Sequence, residues 1–293
     1  MVKNIKVDFY RVKMPDNSNS SFQNIIDHVS GLPDDESRNV EMRGYPVRLK
    51  TTTLSRNIRE GDIMRIRMDE LPLKAKISGE VETLDFDDDE GLGEETAFYY
   101  NSNLRTLLLQ RNKTGVSASA FSKYFEEKGG LEGSIVLEPI LQADVIRRLA
   151  GMQIIRKMDI KFAGVDNFKV FRELDYGIGS VADLSQSFDS PSITLSIGMG
   201  RKKGSLNLEN VLASVRSLIR FPNSNTDRID KIEVKAKEDF EGNIEILNIL
   251  EYRIVESLSV PLNDDRRVFY SDRQVALQQA WKNRQEELTR IFR

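Results

Sequence analysis

A strict alternation of apolar and charged side chains over residues 228–239, RIDKIEVKAKED, is the strongest constraint on the fold. Ile232, Val234 and Ala236 occupy every second position, and charged residues fill the positions between them. Because a β-strand turns successive side chains to opposite faces, this segment predicts a strand with one buried face and one face rich in lysine. The chain must therefore build a sheet whose apolar face is covered by other elements.

Similar alternation predicts most of the other strands, and helical periodicity predicts helices at residues 20–29, 117–127, 144–150, 178–188 and 207–219. Two more strands, at residues 243–250 and 252–260, are expected to follow the lysine-rich strand as a β-meander. This order favours an α+β fold class with two domains. We expect mixed or antiparallel sheets with helices on one face and an amphipathic C-terminal helix.

The expected domains are a mixed α/β domain at residues 1–130, an α+β domain at residues 131–267 and a terminal helix at residues 268–293. Residues 80–95 form an acidic segment with nine acidic residues and no basic one. We interpret this segment as a mobile loop or linker. An alternative is that it imitates a polyanion and screens a basic surface of the chain.

The composition excludes several kinds of chemistry. The chain has no cysteine, which excludes disulfides, thiolate zinc sites and cysteine nucleophiles. The single histidine, His28, excludes multi-histidine metal sites, and its apolar neighbours predict a partly buried helix position. No stretch approaches the roughly 20 apolar residues of a membrane-spanning helix, and no signal-peptide block is present. We therefore expect a cytoplasmic protein that needs no metal and no cofactor.

The net charge of -3 conceals an uneven distribution of charge. Outside the acidic segment the chain carries 43 basic against 37 acidic residues, and residues 144–237 carry 16 basic against 11 acidic. Several of these basic residues occur in pairs or triplets. Local charge governs phosphate affinity more than total charge does, so this region is the candidate for a surface that binds a polyanion.

The candidate phosphate contacts lie on predicted strands, at a strand end and on two predicted helices. The primary candidates are Lys157, Lys161, Arg201, Lys202, Lys203, Lys231, Lys235 and Lys237. The secondary candidates, on the helices, are Arg147, Arg148, Arg216 and Arg220. The sequence shows no helix-turn-helix, no zinc finger and no cluster of base-reading side chains at a helix start. We therefore expect these residues to contact phosphates and not bases.

Two patterns make predictions for single side chains. In the strand of residues 153–162, the period of two separates one set of side chains from another. The first set is Ile154, Met158, Ile160 and Phe162, and the second is Ile155, Lys157, Asp159 and Lys161. In the terminal helix, an apolar stripe is formed by Leu277, Trp281, Leu288 and Phe292. This stripe either packs on the chain's own sheet or forms a dimer contact, and both alternatives stay open.

Two blocks of the sequence resemble a known family. They are VLEPILQADVIRRLAGMQIIRKMDIKFAG at residues 136–164 and IDKIEVKAKEDFEGNIEILNILEYRIVESLSVPLND at residues 229–264. Their order, their spacing and the PLN ending resemble the RexA-like DNA-binding proteins of the lambda-type Rex phage-exclusion system. The resemblance implies a two-domain homodimer that binds duplex DNA with little sequence preference. It also implies a role in phage defence or superinfection exclusion beside a small membrane-protein effector.

The triplet Glu233, Val234 and Lys235 permits an alternative, a Mg²⁺-dependent nuclease. Nucleases of the restriction-endonuclease type place an acid on one strand and Glu-x-Lys on the next, so that the carboxylates hold the metal. Asp159 or Asp189 could be that acid, but Asp189 precedes Glu233 by 44 residues and lies in a loop. We therefore interpret Glu233 as a charge spacer between lysines, and we expect no enzymatic activity.

A third alternative is an interaction or scaffold protein that binds no nucleic acid. Its working parts would be the terminal helix and the acidic segment. Such a protein would show no salt-dependent binding of DNA at low ionic strength, whereas the interpretation as a DNA-binding protein requires it.

Overall fold

The structure is a computed structural model that describes residues 1–33, 35–42, 44–163, 180, 184, 187–188, 190, 192–220 and 228–292. The chain divides into two compact units. Unit 1 comprises Met1–Val136 and Glu256–Arg293, and unit 2 comprises Leu137–Val255. Unit 2 is therefore an insertion in the sequence of unit 1.

The helices are α1 (Phe22–Ser30), α2 (Ala118–Lys128), α3 (Ala143–Ala150), α4 (Leu208–Arg220) and α5 (Tyr270–Phe292), with a 3₁₀ helix at Ile249–Tyr252. The first eight strands are β1 (Val2–Lys13), β2 (Asn39–Met42), β3 (Tyr45–Ser55), β4 (Ile58–Arg67), β5 (Lys74–Ala75), β6 (Val81–Glu82), β7 (Leu92–Asn101) and β8 (Thr106–Arg111). The others are β9 (Val136–Pro139), β10 (Ile154–Ala163), β11 (Ser192–Gly198), β12 (Arg228–Lys237), β13 (Glu245–Asn248) and β14 (Val255–Pro261).

Unit 1 is built on a large sheet whose strands follow the order β14, β1, β8, β7, β4, β3, β2. The pairings from β1 to β2 are all antiparallel. The central strand β7 contains the apolar run AFYY, in which all four residues are buried. A strand buried on both faces loses the simple alternation of a half-exposed strand, so this run indicates that the sheet is covered on both sides.

Helices α1 and α2 cover one face of the unit 1 sheet through an aromatic cluster. Phe22 meets Tyr100 and Phe125 edge to face, with ring centroids 5.0 Å and 5.2 Å apart. A serine caps the N-terminus of each helix by accepting a backbone hydrogen bond; the two caps are Ser21 and Ser117. His28 is exposed on α1, so its predicted partly buried position is wrong.

Helix α5 covers the opposite face of the same sheet. Trp281 stacks on Tyr99 with a centroid distance of 5.5 Å, and Leu277 and Leu288 are 1% and 0% exposed. Phe292 is partly buried beneath the guanidinium of Arg11. The prediction that Leu277, Trp281, Leu288 and Phe292 form a dimer contact is therefore wrong for the first three, because their own chain buries them. The alternative prediction, packing on the chain's own sheet, is confirmed.

The acidic segment of residues 80–95 is not one loop. Its start contributes strand β6, which pairs with β5, and its end lies in β7. There the side chain of Glu95 is 9% exposed and forms ion pairs with Lys50 and Arg273. Only the middle of the segment is a largely exposed connection between strands. A dense run of carboxylates thus ends in a buried ion-pair cluster, which composition alone could not indicate.

Unit 2 contains a four-stranded antiparallel sheet in the order β11, β10, β12, β13. Helices α3 and α4 cover one face of it. Val145 and Val215 from these helices share a fully buried core with Ile160 and Ile232 of the central strands. The predicted α+β class, antiparallel sheets and C-terminal helix are confirmed. Helices lie on one face of the sheet in unit 2, as predicted, but on both faces in unit 1.

The units end at different residues from the predicted domains. The predicted β-meander is wrong after β13, because the chain forms the 3₁₀ helix at Ile249–Tyr252 and β14 then joins β1 in the sheet of unit 1. β14 and α5 therefore belong to unit 1. Local pattern identified β14 as a strand but could not identify a partner at the other end of the chain. The helix predicted at residues 178–188 lies mostly outside the described residues.

Candidate nucleic-acid interface

The two central strands of unit 2 bring four lysines together. Lys157 and Lys161 on β10 are direct cross-strand partners of Lys235 and Lys231 on β12. Residues directly opposite each other in an antiparallel pair point to the same side of the sheet. We call this set, Lys157, Lys161, Lys231 and Lys235, the lysine face. The four side chains are between 35% and 46% exposed, and they lie on the side of the sheet opposite the buried Ile160, Ile232 and Val234.

A β-bulge at Arg156 makes the predicted pleat of β10 wrong at the start of the strand. Ile155 is opposite Ala236 and Lys157 is opposite Lys235, so Arg156 is the extra residue. The bulge puts Ile155 in the helix-covered core together with Met158, and Ile154 on the other side of the strand. The predicted positions of Ile154 and Ile155 were therefore exchanged. Beyond the bulge the predicted alternation is correct.

Two carboxylates lie between the lysine pairs. Asp159 is the cross-strand partner of Glu233. The Nζ of Lys157 is 2.8 Å from Asp159 Oδ1, and the Nζ atoms of Lys231 and Lys235 are 2.7 Å and 3.8 Å from the carboxylate oxygens of Glu233. Asp230 is a third carboxylate, with its Oδ2 3.8 Å from the Nζ of Lys161, so the four ammonium groups exceed the carboxylates by one charge on this surface.

These contacts shift pKa values on the lysine face. A hydrogen bond to Glu233 raises the pKa of Lys231. Burial opposes the ionisation of Asp159, but hydrogen bonds from Lys157 and from the Ser196 hydroxyl outweigh it and lower the pKa of this carboxyl. The Asp159 carboxylate and the Lys231 ammonium group are therefore both ionised near neutral pH.

The basic triplet at residues 201–203 lies in a loop that Arg156 holds. The Arg156 guanidinium donates hydrogen bonds to the carbonyl oxygens of Lys202 and Gly204, both at 2.8 Å, and of Gly200 at 3.1 Å. Gly200 and Gly204 have φ values of 56° and 128°, which a glycine adopts without steric cost. The bulge residue of β10 thus fixes the loop that follows β11, next to the partners Gly198 and Lys157.

All eight primary candidates lie in unit 2. Four form the lysine face, and the other four lie at the end of the sheet where β11 and β12 finish: Lys237, Arg201, Lys202 and Lys203. The three residues of the loop are exposed. Thr194 and Ser196 on β11 are opposite Lys161 and Asp159, so hydroxyl groups extend the same face as predicted.

The secondary candidates lie on the opposite side of the sheet. Arg147 and Arg148 are exposed on α3, where Arg148 forms an ion pair with Glu245, and Arg216 is exposed on α4. The side chain of Arg220 is outside the described residues. The structure thus separates the arginines of the helices from the lysine face, and a single flat surface cannot include both sets.

The sequence pattern missed the role of one residue that organises this surface and left another open. Arg156 precedes Lys157 directly, so the charge pattern shows only a basic pair, and the role of Arg156 depends on the loop that it contacts. Asp159 is one of two acids that the sequence allowed beside Glu233, and it could not be chosen from the sequence because β11 and α4 separate β10 from β12 in the chain. Across the described ranges, no group of three or more His, Cys, Asp or Glu side chains is arranged to hold a metal ion.

Comparison with known proteins identifies a family for this chain but no activity. A model described as a family of unknown function (DUF6731) matches residues 1–287 of the 293-residue chain. No curated protein matches the sequence significantly. In the part of the chain that the structure describes, no helix combines the length and the apolar character needed to cross a membrane.

Proposed function

This chain belongs to that family of unknown function, DUF6731, and we propose that its unit 2 binds the phosphate backbone of double-stranded DNA with little sequence preference. The observation that carries the proposal is the cross-strand pairing of Lys157 with Lys235 and of Lys161 with Lys231. Like charges directly opposite each other destabilise a sheet. Four ammonium groups on one half-exposed face are therefore best explained by an anion that supplies the missing counter-charge.

The internal carboxylates supply only part of that charge. Asp159 and Glu233 between them contact three of the four lysines, and the fourth, Lys161, is 3.8 Å from Asp230. These are ion pairs between partly exposed groups, which solvent screens so that each one contributes little to stability. DNA phosphates can therefore replace these carboxylates as partners of the lysines, and this binding releases counterions from the nucleic acid.

The spacing of the lysine pairs supports a duplex ligand. Lys157 and Lys161 are four residues apart on one strand, which corresponds to about 13 Å at about 3.3 Å per residue. The major groove of B-DNA is about 12 Å wide. The two lysine pairs can therefore contact the phosphates on either side of a groove, while Asp159 and Glu233 face the groove between them.

The surroundings of the lysine face support weak sequence preference. Direct readout needs a helix or ribbon that enters a groove and presents base-reading side chains. Helices α3 and α4 lie on the other side of the sheet of unit 2. Phosphate contacts alone hold a duplex without distinguishing its sequence.

Fluorescence anisotropy across a series of salt concentrations tests the proposal. The full chain should bind labelled random duplexes of different sequence with similar affinity, and log Kd should rise linearly with log salt concentration. Lys161→Gln with Lys231→Gln removes two phosphate contacts. The slope should then fall by roughly 1.8, at about 0.9 for each contact.

The matched control is Arg147→Gln with Arg216→Gln, which removes the same charge from exposed positions on the helices. The control should leave the slope nearly unchanged. Equal losses in the two double variants would reject the lysine face as the binding surface. The absence of salt-dependent binding in the unmodified protein would reject DNA binding altogether and favour a scaffold protein.

We extend the proposal to a cytoplasmic role in phage exclusion, as a homodimer that works with a small membrane-protein effector. The resemblance of residues 136–164 and 229–264 to the RexA-like proteins is what supports this extension. A plating assay tests it: expression should lower the plating efficiency of a superinfecting phage, and the Lys161→Gln with Lys231→Gln variant should lose this effect. Protection that survives in the variant would separate phage exclusion from DNA binding.

A metal-dependent nuclease is the second candidate, because Asp159 is the cross-strand partner of Glu233, with Lys235 on the same face. This places an acid beside the Glu-x-Lys triplet. However, the surrounding ammonium groups repel a divalent cation, and lysines already contact the oxygens of Glu233. Incubation of supercoiled plasmid with Mg²⁺ or Mn²⁺ decides between the candidates. Nicking that disappears in Glu233→Ala would establish the nuclease.

A further inference from the structure

Unit 1 contains a cavity of about 440 Å³ beside the N-terminal end of α5. Residues of β1, β7 and β8 form one wall, and the turn of residues 262–268 forms another. Sites for small molecules commonly measure about 300–1,000 Å³. The cavity is therefore large enough for a small metabolite.

The charges that line this cavity do not balance. Its two acidic residues, Glu94 and Glu95, each form an ion pair with a cation outside the lining. The partner of Glu94 is Arg67, at 3.8 Å, and the partner of Glu95 is Lys50. The lining cation Arg273 forms an ion pair with the fully buried Asp62 as well as with Glu95. The positive charge in excess of these pairs comes from three lining residues, Lys3, Arg266 and Arg267.

These three cations are poorly neutralised by the protein. Arg267 is 68% exposed, and in the described part of the chain its one acidic partner is Glu95, at 3.8 Å. Among the described residues, Lys3 and Arg266 have no acidic group within ion-pair distance. A concave surface with three such cations concentrates positive potential, which attracts an anion that carries more than one charge.

The floor of the cavity adds a neutral donor. Gln110 is 7% exposed, and its Oε1 accepts a hydrogen bond from the backbone N–H of Ala97 at 3.2 Å. This bond fixes the orientation of the amide, so the Nε2 is the group left for a ligand. No acceptor for this nitrogen is found in the described residues. An oxyanion is the kind of ligand that accepts from both an amide and guanidinium groups.

The turn that carries the arginines is fixed in an unusual conformation. Arg266 has a φ of 59°, which is uncommon for a residue other than glycine. Asn263 closes the turn: its side-chain oxygen accepts from the N–H of Arg267 at 2.7 Å, and its N–H donates to the carbonyl of Arg267 at 2.8 Å. Retained backbone strain of this kind is concentrated at ligand sites.

We propose that this cavity of unit 1 binds a small multivalent oxyanion, held by Lys3, Arg266 and Arg267 at its mouth and by the Gln110 amide at its floor. Phosphorylated and polycarboxylate metabolites share this chemistry. The site lies in unit 1 and is independent of the lysine face of unit 2, so either site can exist without the other.

Isothermal titration of the full chain with pyrophosphate and with citrate tests the proposal, against sodium chloride matched for ionic strength. At least one of the two probes should bind with a stoichiometry of one, and the preferred probe identifies the phosphorylated or the polycarboxylate class. Lys3→Gln with Arg266→Gln and Arg267→Gln should weaken binding by about tenfold or more. The matched control is the triple variant Arg56→Gln, Lys123→Gln and Lys282→Gln, which removes the same charge from exposed positions outside the cavity and should bind as the unmodified protein does.

A single variant separates binding from folding. Arg266→Gly removes one cation at a position whose φ suits glycine, so the thermal midpoint should be unchanged or higher while the probe binds several-fold more weakly. The proposal is overturned if neither probe binds beyond the matched chloride control. It is also overturned if the triple variant of the mouth and the triple control variant lose affinity equally, or if Arg266→Gly binds as tightly as the unmodified protein.

Discussion

Asp159 on β10 and Glu233 on β12 are direct cross-strand partners, and a pair of lysines flanks them on either side along the strands. The cross-strand pairs on this face therefore alternate between positive and negative charge along the strands. Each carboxylate is stabilised by lysines of the neighbouring pairs and not by its own partner. The carboxylates consequently compete with any anion for the same ammonium groups.

Glu233→Gln should strengthen DNA binding. The substitution keeps the size of the side chain but removes the charge that holds Lys231 and Lys235. Solvent screens such exposed ion pairs, so the affinity for a duplex should rise only about two- to fivefold. Anisotropy at constant salt measures the change. Weaker binding in this variant would show that Glu233 itself contributes to the interface.

Arg156→Met should loosen the basic loop. The guanidinium donates to three carbonyl oxygens of residues 200–204, and methionine cannot replace these bonds. Trypsin cleaves after the basic residues 201–203, so limited proteolysis should cut the loop several-fold faster in the variant. Arg147→Met is the control, because Arg147 is exposed on α3. Equal cleavage rates would mean that Arg156 does not hold the loop.

Asp62→Asn should flatten the dependence of stability on pH. Burial raises the pKa of Asp62 to about 6, against the opposing charge of Arg273. Between about pH 4 and pH 6 the folded state keeps a proton that the unfolded chain has lost, so the free energy of unfolding falls as the pH rises through this window. In the unmodified protein the free energy of unfolding should fall by about 3 kcal/mol across this window, and the substitution should abolish this decrease.

Urea unfolding at both ends of this pH window measures that decrease. The comparison is the change in unfolding free energy of the variant against that of the unmodified protein. Asp88→Asn serves as the control, since Asp88 is exposed in the connection before β7. If Asp62→Asn and Asp88→Asn retain the same dependence on pH, Asp62 ionises as an ordinary carboxyl.

Trp281→Ala should destabilise unit 1 without changing the oligomeric state. The indole is 8% exposed and stacks on Tyr99, and truncation of a buried aromatic side chain costs about 3–5 kcal/mol. Urea unfolding and light scattering after gel filtration measure the two properties. Val275→Ala, at a position 63% exposed on the same helix, should change neither. A dimer that dissociates only in Trp281→Ala would restore the helix as a subunit contact.

Features that depend on near neighbours in the chain were predictable. Capping serines, glycine ends and apolar periodicity located α1, α2, α3 and α4 to within a few residues, because these signals act within one or two turns. The alternation in β12 also predicted its lysine side, since Ile232, Val234 and Ala236 are all 0% exposed.

Features that depend on distant partners were not predictable. The bulge at Arg156 exchanged the sides of Ile154 and Ile155, and one inserted residue leaves no signal in a pattern of period two. The pairing of β14 with β1 joins opposite ends of the chain. The apolar stripe of α5 indicated that something covers it, but only the tertiary structure shows that Tyr99 and its neighbours do so.

The insertion of unit 2 into the sequence of unit 1 sets an order on synthesis by the ribosome. Proteins usually fold their N-terminal domain first as the chain emerges. Here the sheet of unit 1 lacks an edge strand and one covering helix until β14 and α5 are translated, whereas unit 2 is complete by Val255. Unit 2 can therefore fold while the sheet of unit 1 is still incomplete. Until α5 is synthesised, the apolar side of that sheet that contains Tyr99 stays uncovered.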